Sequence, residues 1–181
     1  MANGNLAVGR ILPWAVAARE EDWDALFAEQ LPRIYNFFRY RVGDGPVAED
    51  LTSITFEKAW RARQRYRRDL AGFGTWLLAV ARNVAADHFR AARRLVPLEE
   101  AAELAGGPTP EELSERRSDL DRLGRLLPHR PDRERELLAL KYGAEMTNRD
   151  IARLTGLSES NVGTILHRAV QALRADWEKG T

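Results

Sequence analysis

Apolar residues fall at helical intervals along most of this chain. Trp23, Leu26, Phe27, Leu31, Ile34, Tyr35, Phe38 and Val42 recur every three or four positions, one apolar stripe along a first helix. Gly43-Asp44-Gly45 ends it, and Pro46 suits the first position of a second helix, about Pro46 to Arg65. That helix turns Val47, Leu51 and Ile54 inward and pairs Phe56 with Trp60 one turn apart. After Gly72 and Gly74, a third helix capped at Gly74 or Thr75 carries Leu77, Val80, Ala81, Val84 and His88 on its inner face. Three amphipathic helices with short connections predict a compact bundle.

Beyond Arg94 the pattern lapses. Pro97, Glu99-Glu100 and Gly106-Gly107-Pro108-Thr109-Pro110 cannot sustain a long helix and read as an acidic tether. Helical spacing resumes near Pro110 or Glu111 and runs to Leu127. It breaks at Pro128 and Pro131 and returns through Glu136, Leu137, Leu138, Leu140 and Tyr142. There is no internal repeat and no strand-type alternation of useful length. The predicted fold is therefore all-α, with two small helical domains: a flexible N-terminal extension over 1–21, a three-helix-type bundle over 22–94, an acidic flexible linker over 95–118 and a helix-turn-helix domain over 119–181.

The sharpest local signal lies between Thr147 and Arg174. Thr147-Asn148-Arg149-Asp150 is a capping box opening a short helix with Ile151, Ala152 and Leu154 inward. Gly156 supplies positive φ for a tight turn, and Ser158 caps a second helix with Val162, Ile165, Leu166, Ala169 and Leu173 on its inner face. This is the spacing of a DNA-reading helix-turn-helix, whose second helix enters the major groove. Its outward positions, Ser158, Glu159, Ser160, Asn161, Thr164, His167 and Arg168, offer hydrogen-bonding groups to base edges and phosphates.

Composition narrows the function classes. The chain has 181 residues, 44% hydrophobic and 30% charged, and no cysteine, which excludes disulfides, thiolate metal sites and a cysteine nucleophile. His88, His129 and His167 are scattered, with no His-Glu-x-x-His run and no phosphate-binding Gly-rich loop, so we expect no metal, no cofactor and no catalysis. The apolar run Ile11 to Ala18 is too short to span a bilayer and contains Pro13; with only Arg10 ahead of it, it is no signal peptide. We expect a cytoplasmic protein without membrane insertion. The formal charge of +1 hides a segregation of sign: Arg61 to Arg94 holds nine arginines against Asp69 and Asp87, whereas Arg19 to Asp50 and Leu95 to Ser118 each carry a net −4. The arginine block is interleaved with Tyr66, Phe73, Trp76 and Phe89, a pairing of phosphate-binding forks with stacking rings that suits nucleic acid.

A basic, aromatic-laced helical bundle, an acidic tether and a C-terminal helix-turn-helix together resemble the bacterial RNA polymerase sigma factors of the compact extracytoplasmic-function group. Ala48 to Trp60 is similar to that family's core-polymerase-binding helix, Thr75 to Arg90 to its minus-ten helix, and Thr147 to Arg174 to its minus-thirty-five reader. The resemblance implies core RNA polymerase, promoter DNA (duplex and single-stranded) and an anti-sigma protein as partners, for a chain that is monomeric when free. It implies polymerase contacts at Asp50, Leu51, Thr52, Phe56, Glu57 and Trp60, and minus-ten contacts at Arg67, Phe73, Trp76, Asn83, Asp87, Arg90, Arg93 and Arg94. Asn83, Asp87, Arg90 and Arg94 share one stripe away from the apolar face. The loop Arg67 to Thr75 would form a pocket for an extruded base, although Trp76, like Phe56 and Trp60, reads equally as a core aromatic. Gly163 and Ile165 stand where relatives often carry Lys or Arg, implying fewer phosphate contacts at the minus-thirty-five element. The competing reading is a helix-turn-helix regulator that binds closed duplex operator DNA as a dimer and never touches polymerase.

Overall fold

A computed structural model of the chain describes residues 23–95 and 115–179. The N-terminal extension, nearly all of the acidic linker and the expected helix start near residue 110 lie outside the described residues. Seven α-helices are described: α1 Trp23–Val42, α2 Gly45–Ala62, α3 Phe73–Leu95, α4 Glu115–Leu126, α5 Asp132–Leu138, α6 Asn148–Thr155 and α7 Glu159–Glu178. Short 3₁₀ turns follow α2 and α4, and a π-helical turn, Ala139–Gly143, continues α5.

Local chemistry sets most of the boundaries. Asp44, in extended conformation, accepts the Val47 amide at 2.8 Å and caps α2, with Pro46 in the first turn. Helix α2 ends at Ala62 rather than Arg65, passing into the 3₁₀ turn, and α3 begins at Phe73, ahead of the expected cap at Gly74 or Thr75. Pro32 lies inside α1, where it removes an amide donor; both it and Ala28, whose carbonyl loses that donor, are exposed, so water can replace the bond.

Helix α1 organises the packing. Ile34, Phe37 and Phe38 are fully buried, and α1 rests on α2 and α3 on one side and on the π-helical turn on the other. One apolar core therefore runs from Leu51, Leu77 and Val84 through α1 to Leu138, Leu140, Ile151 and Val162. Two expected inward residues are not inward: Leu31 is 50% exposed and Ile54 39% exposed, because no helix among the described residues covers their sides of α1 and α2. Periodicity marks a stripe, and tertiary contacts decide how wide it is.

The seam between the two helical units is tight and charged. Gly143 lies so close to the α1 backbone that a Cβ there would sit 2.6 Å from the Asn36 carbonyl oxygen, and Gly43 (φ 82°) meets Gly124 backbone to backbone in the same way. Arg33 donates twice to the Ala144 carbonyl, at 3.1 and 2.8 Å. Arg82 donates to Glu136 at 2.8 Å and to the Leu154 carbonyl at 2.6 Å. The Arg41 side chain, 6% exposed, pairs with Asp132 at 2.7 Å. Burial alone would raise the Asp132 carboxyl, but the Arg41 hydrogen bond and charge, with Arg135 adding, hold it below its ordinary value. A depressed carboxyl stabilises the fold above its unfolded-state pKa, and that contribution is lost as pH falls through the folded value.

The close approach at Gly143 predicts an asymmetry between glycines. Gly143→Ala should cost about 1–3 kcal/mol in urea unfolding, since the methyl displaces packed backbone, even though Ala is the better helix former. Gly72→Ala, whose Cβ meets nothing within 4 Å, should stay within about 0.5 kcal/mol. Equal midpoints for the two variants would refute the tight seam.

Candidate nucleic-acid interface

Helix α3 presents its charged stripe to solvent. Asn83, Asp87, Arg90 and Arg94 are all exposed, over the buried face of Leu77, Leu78, Ala81, Val84 and Ala85. Asp87 accepts from Lys58 of α2 at 3.2 Å and from Arg90 at 2.9 Å, and these partners, Lys58 foremost, hold its carboxyl below the usual range. The acid thus fixes the Arg90 guanidinium while tying α3 to α2. Arg93 and Arg94 are exposed and have no carboxylate partner among the described residues. Arg67 is exposed as well, but Asp69 chelates it at 3.0 and 2.6 Å, so it must exchange that partner to hold a phosphate. Burial lowers the His88 pKa, so this imidazole adds no charge to the surface at neutral pH.

The rings tell a different story from the one their spacing suggests. Trp23 is the centre of a cluster, with ring centroids 5.7 Å from Phe27, 6.1 Å from Trp60, 6.5 Å from Tyr66, 5.3 Å from Phe73 and 6.4 Å from Trp76. Phe73 is only 8% exposed inside it. The structure therefore gives the Phe73 ring to the core: in this arrangement it has no free face for an extruded base. Trp76 is half-buried, tilted against Tyr66 at 5.1 Å, and holds the cluster's edge. Phe56 closes the other side against Phe27 at 4.8 Å.

The same sorting applies to α2. Asp50, Glu57 and Trp60 are exposed, the last at 45% with the Arg63 guanidinium 4.0 Å from its ring centroid. Leu51 and Thr52 are buried, and the Thr52 hydroxyl donates back to the Ala48 carbonyl at 2.7 Å; neither reaches a partner's surface here. Their neighbours Ser53 and Ile54 take the outward positions instead. Asp50, Ile54 and Glu57 stand at i, i+4 and i+7, so helical spacing from Asp50 alone would have found the apolar centre of this face.

The helix-turn-helix follows its sequence signals closely. Thr147 accepts the Asp150 amide at 3.1 Å and donates its hydroxyl to the Asp150 carboxylate at 2.6 Å; Gly156 turns the chain at φ 73°; Ser158 accepts the Asn161 amide at 3.2 Å. Ile151, Ala152, Val162, Leu166 and Ala169 are buried between α6, α7 and their neighbours. Ser158, Glu159, Ser160, Asn161, Thr164, His167 and Arg168 are all exposed on the outer side. Among the described residues no group of His, Asp and Glu could hold a metal, and no helix is long and apolar enough to cross a membrane.

Comparison with known proteins agrees with this geometry. The model of Sigma-70 region 2 matches residues 26–95, and that of Sigma-70, region 4 matches residues 120–173. The RNA polymerase sigma factor CarQ of Myxococcus xanthus is 30% identical over 159 residues, covering 86% of this chain and 88% of CarQ. The chain belongs to the sigma-70 family, in its extracytoplasmic-function group. The ECF RNA polymerase sigma factor BldN of Streptomyces coelicolor is also 30% identical, over 88% of this sigma factor but only 61% of BldN's own length. In fold, the sigma factor is similar to RpoE in its complex with the anti-sigma factor NepR from Bartonella quintana, with a TM-score of 0.66 at 20% identity, covering 85% of this chain and 95% of that one.

The different settings of two rings separate core from surface roles in this sigma factor. Phe73→Ala should cost about 3–5 kcal/mol in thermal or urea unfolding, as truncation of a buried aromatic does. Trp60→Ala, at a ring 45% exposed, should cost less than half as much. Comparable stability losses for both would remove the distinction.

Proposed function

We propose that this sigma factor docks on core RNA polymerase through the outward face of α2, built on Asp50, Ile54, Glu57 and Trp60, and uses α3 and α7 as two separate promoter readers. A mixed acidic and apolar strip is suited to a basic helical partner surface, with Ile54 and Trp60 as the buried centre and the carboxylates as its rim. On α3, Asn83, Asp87, Arg90, Arg93 and Arg94 take the minus-ten element. Opening a duplex costs a few kcal/mol per unstacked base, so a surface that binds the exposed strand more tightly than the closed helix stabilises the melted state without consuming nucleotide. On α7, the exposed hydroxyls, amide, His167 and Arg168 read the minus-thirty-five element in the major groove and fix the register of the complex.

The observation that carries this reading is the joint exposure of the four-residue stripe on α3 and of all seven outward positions at the head of α7, each on an element whose opposite face is buried. The chain acts by binding rather than catalysis, and its place of work is the cytoplasm, where polymerase and promoter are. An anti-sigma protein is its proposed negative regulator, by analogy with the RpoE–NepR pair, and the chain is monomeric when free.

Promoter-dependent transcription with core polymerase, with and without this chain, tests the proposal. Addition should yield specific transcripts, and permanganate should detect unpaired thymines at the minus-ten element. Arg90→Ala with Arg94→Ala should lower open-complex formation by about tenfold or more, the loss of two charge-assisted contacts. Arg168→Ala should weaken upstream anchoring and reduce the salt slope by about one. Binding to closed duplex as a dimer, with no initiation from any promoter, would favour the operator-binding regulator and end the sigma reading.

A further inference from the structure

The seam between the two helical units forms a pocket of about 420 Å³, open to solvent, whose walls come from α1, α3 and α5. Five arginines line it, Arg41 from α1 and Arg82, Arg90, Arg93 and Arg94 from α3, against only two carboxylates, Asp132 and Glu136. Both carboxylates are already shared between cations: Asp132 between Arg41 and Arg135, and Glu136 between Arg82 and Arg133. Arg90 is held by Asp87 at 2.9 Å, but Arg93 and Arg94 have no carboxylate partner among the described residues, so positive charge is in surplus within the pocket.

Arg41 sharpens the point. Its side chain is 6% exposed, yet its Nη1 is buried with no hydrogen-bond partner. A buried cationic donor left unsatisfied is costly, and an anionic oxygen completes it once the Arg41 side chain turns toward the pocket it lines. The guanidiniums of Arg41 and Arg135 also lie 4.6 and 5.0 Å from the centroid of the same Phe89 ring, two like charges held together. Burial, followed by the charge of Arg41, lowers the Arg135 pKa, consistent with cations crowded at this place.

We infer that this pocket binds a small polyphosphate anion, independently of DNA, and that the bound anion holds the two helical units together. The size suits a small ligand, and the surplus of several charges calls for a multiply charged one. Phosphate chemistry is favoured over base recognition because the Phe89 ring is already occupied by both guanidiniums and, edge-on at 5.3 Å, by His88. A strand backbone brings one charge per phosphate on a continuous chain, a poor match for the recessed Arg41 donor. Because the walls belong to both units, binding favours their packed arrangement by mass action. It also removes Arg90, Arg93 and Arg94 from any other anion.

Calorimetric titration of the full chain with sodium tripolyphosphate at low salt tests this, with no polymerase or promoter present, so its outcome does not depend on the promoter-reading roles. We expect saturable one-to-one binding. Arg93→Gln with Arg94→Gln, at exposed positions, should lower affinity by about tenfold or more, the worth of lost charge-assisted contacts. Arg41→Gln should do the same while circular dichroism confirms the fold. Arg61→Gln with Arg65→Gln removes equal charge away from the pocket and should change affinity by less than about twofold. Adenosine triphosphate should bind within about threefold of tripolyphosphate, and hydrogen exchange over residues 137–140 should slow when either is bound. Equal losses in both double variants would reduce the effect to general counterion attraction and overturn the site, as would failure to saturate. A hundredfold preference for the nucleotide would overturn recognition by phosphate alone, and unchanged exchange would overturn the holding role.

Discussion

Helix α1 is asked to be the core of two structures at once. Ile34, Phe37 and Phe38 are all fully buried, at i, i+3 and i+4, an arc of one apolar stripe that must serve two neighbours. One side of that arc is covered by α2 and α3, the other by the π-helical turn after α5. The second contact is possible only because Gly143 has no side chain: its backbone rests on the Asn36 carbonyl where any Cβ would collide. Dense packing makes such a contact nearly all-or-none, since a displaced helix forfeits the dispersion and burial of every residue along it. The relation between α2 and the helix-turn-helix rests on this backbone approach and on its counterpart at Gly43 and Gly124.

Charge then divides the arginines into two populations. Arg33, Arg39, Arg41 and Arg82 point across the seam and end on carbonyls or carboxylates of the C-terminal unit. Arg90, Arg93 and Arg94 remain at the surface, where only Arg90 has a carboxylate partner among the described residues. The former bonds are partly desolvated and resist salt; the latter cations are exposed, screened by salt and available to polyanions. Helix α3 thus has a structural end and a binding end, with Arg82 and Arg90 two turns apart.

What could be read from the chain alone was whatever local chemistry decides. Thr147, Gly156 and Ser158 each impose a cap or a turn on their immediate neighbours, and each does what its residue type requires. The misreadings share a cause. The resemblance gives Leu51 and Thr52 to a partner and the spacing gives Ile54 to the core, but the next-door helices bury the first two and leave the third exposed. Phe73, set between two glycines, suggested an exposed ring, yet Trp23, fifty residues earlier in the chain, covers it at 5.3 Å. Periodicity identifies which residues share a face; it does not say whether a neighbour or a partner occupies that face. The Gly143–Asn36 contact has no local signal, because it joins segments over a hundred residues apart, and the π-helical turn beside it has none that periodicity could show.

The surface of α7 explains why both units must act together. Its outward groups are mostly hydroxyl, amide and imidazole, with Glu159 among them and Arg168 the one permanent cation of the seven. Such groups discriminate bases but neutralise few phosphates, and phosphate neutralisation supplies most non-specific affinity for DNA. Selectivity is therefore concentrated in the C-terminal unit, and positive charge in α3. Neither surface substitutes for the other, and simultaneous engagement multiplies their contributions through effective concentration rather than through any new contact. Under the proposed roles, a reader that holds DNA weakly on its own follows from this division: it would let α7 choose register before the arginines of α3 commit the complex to an open strand.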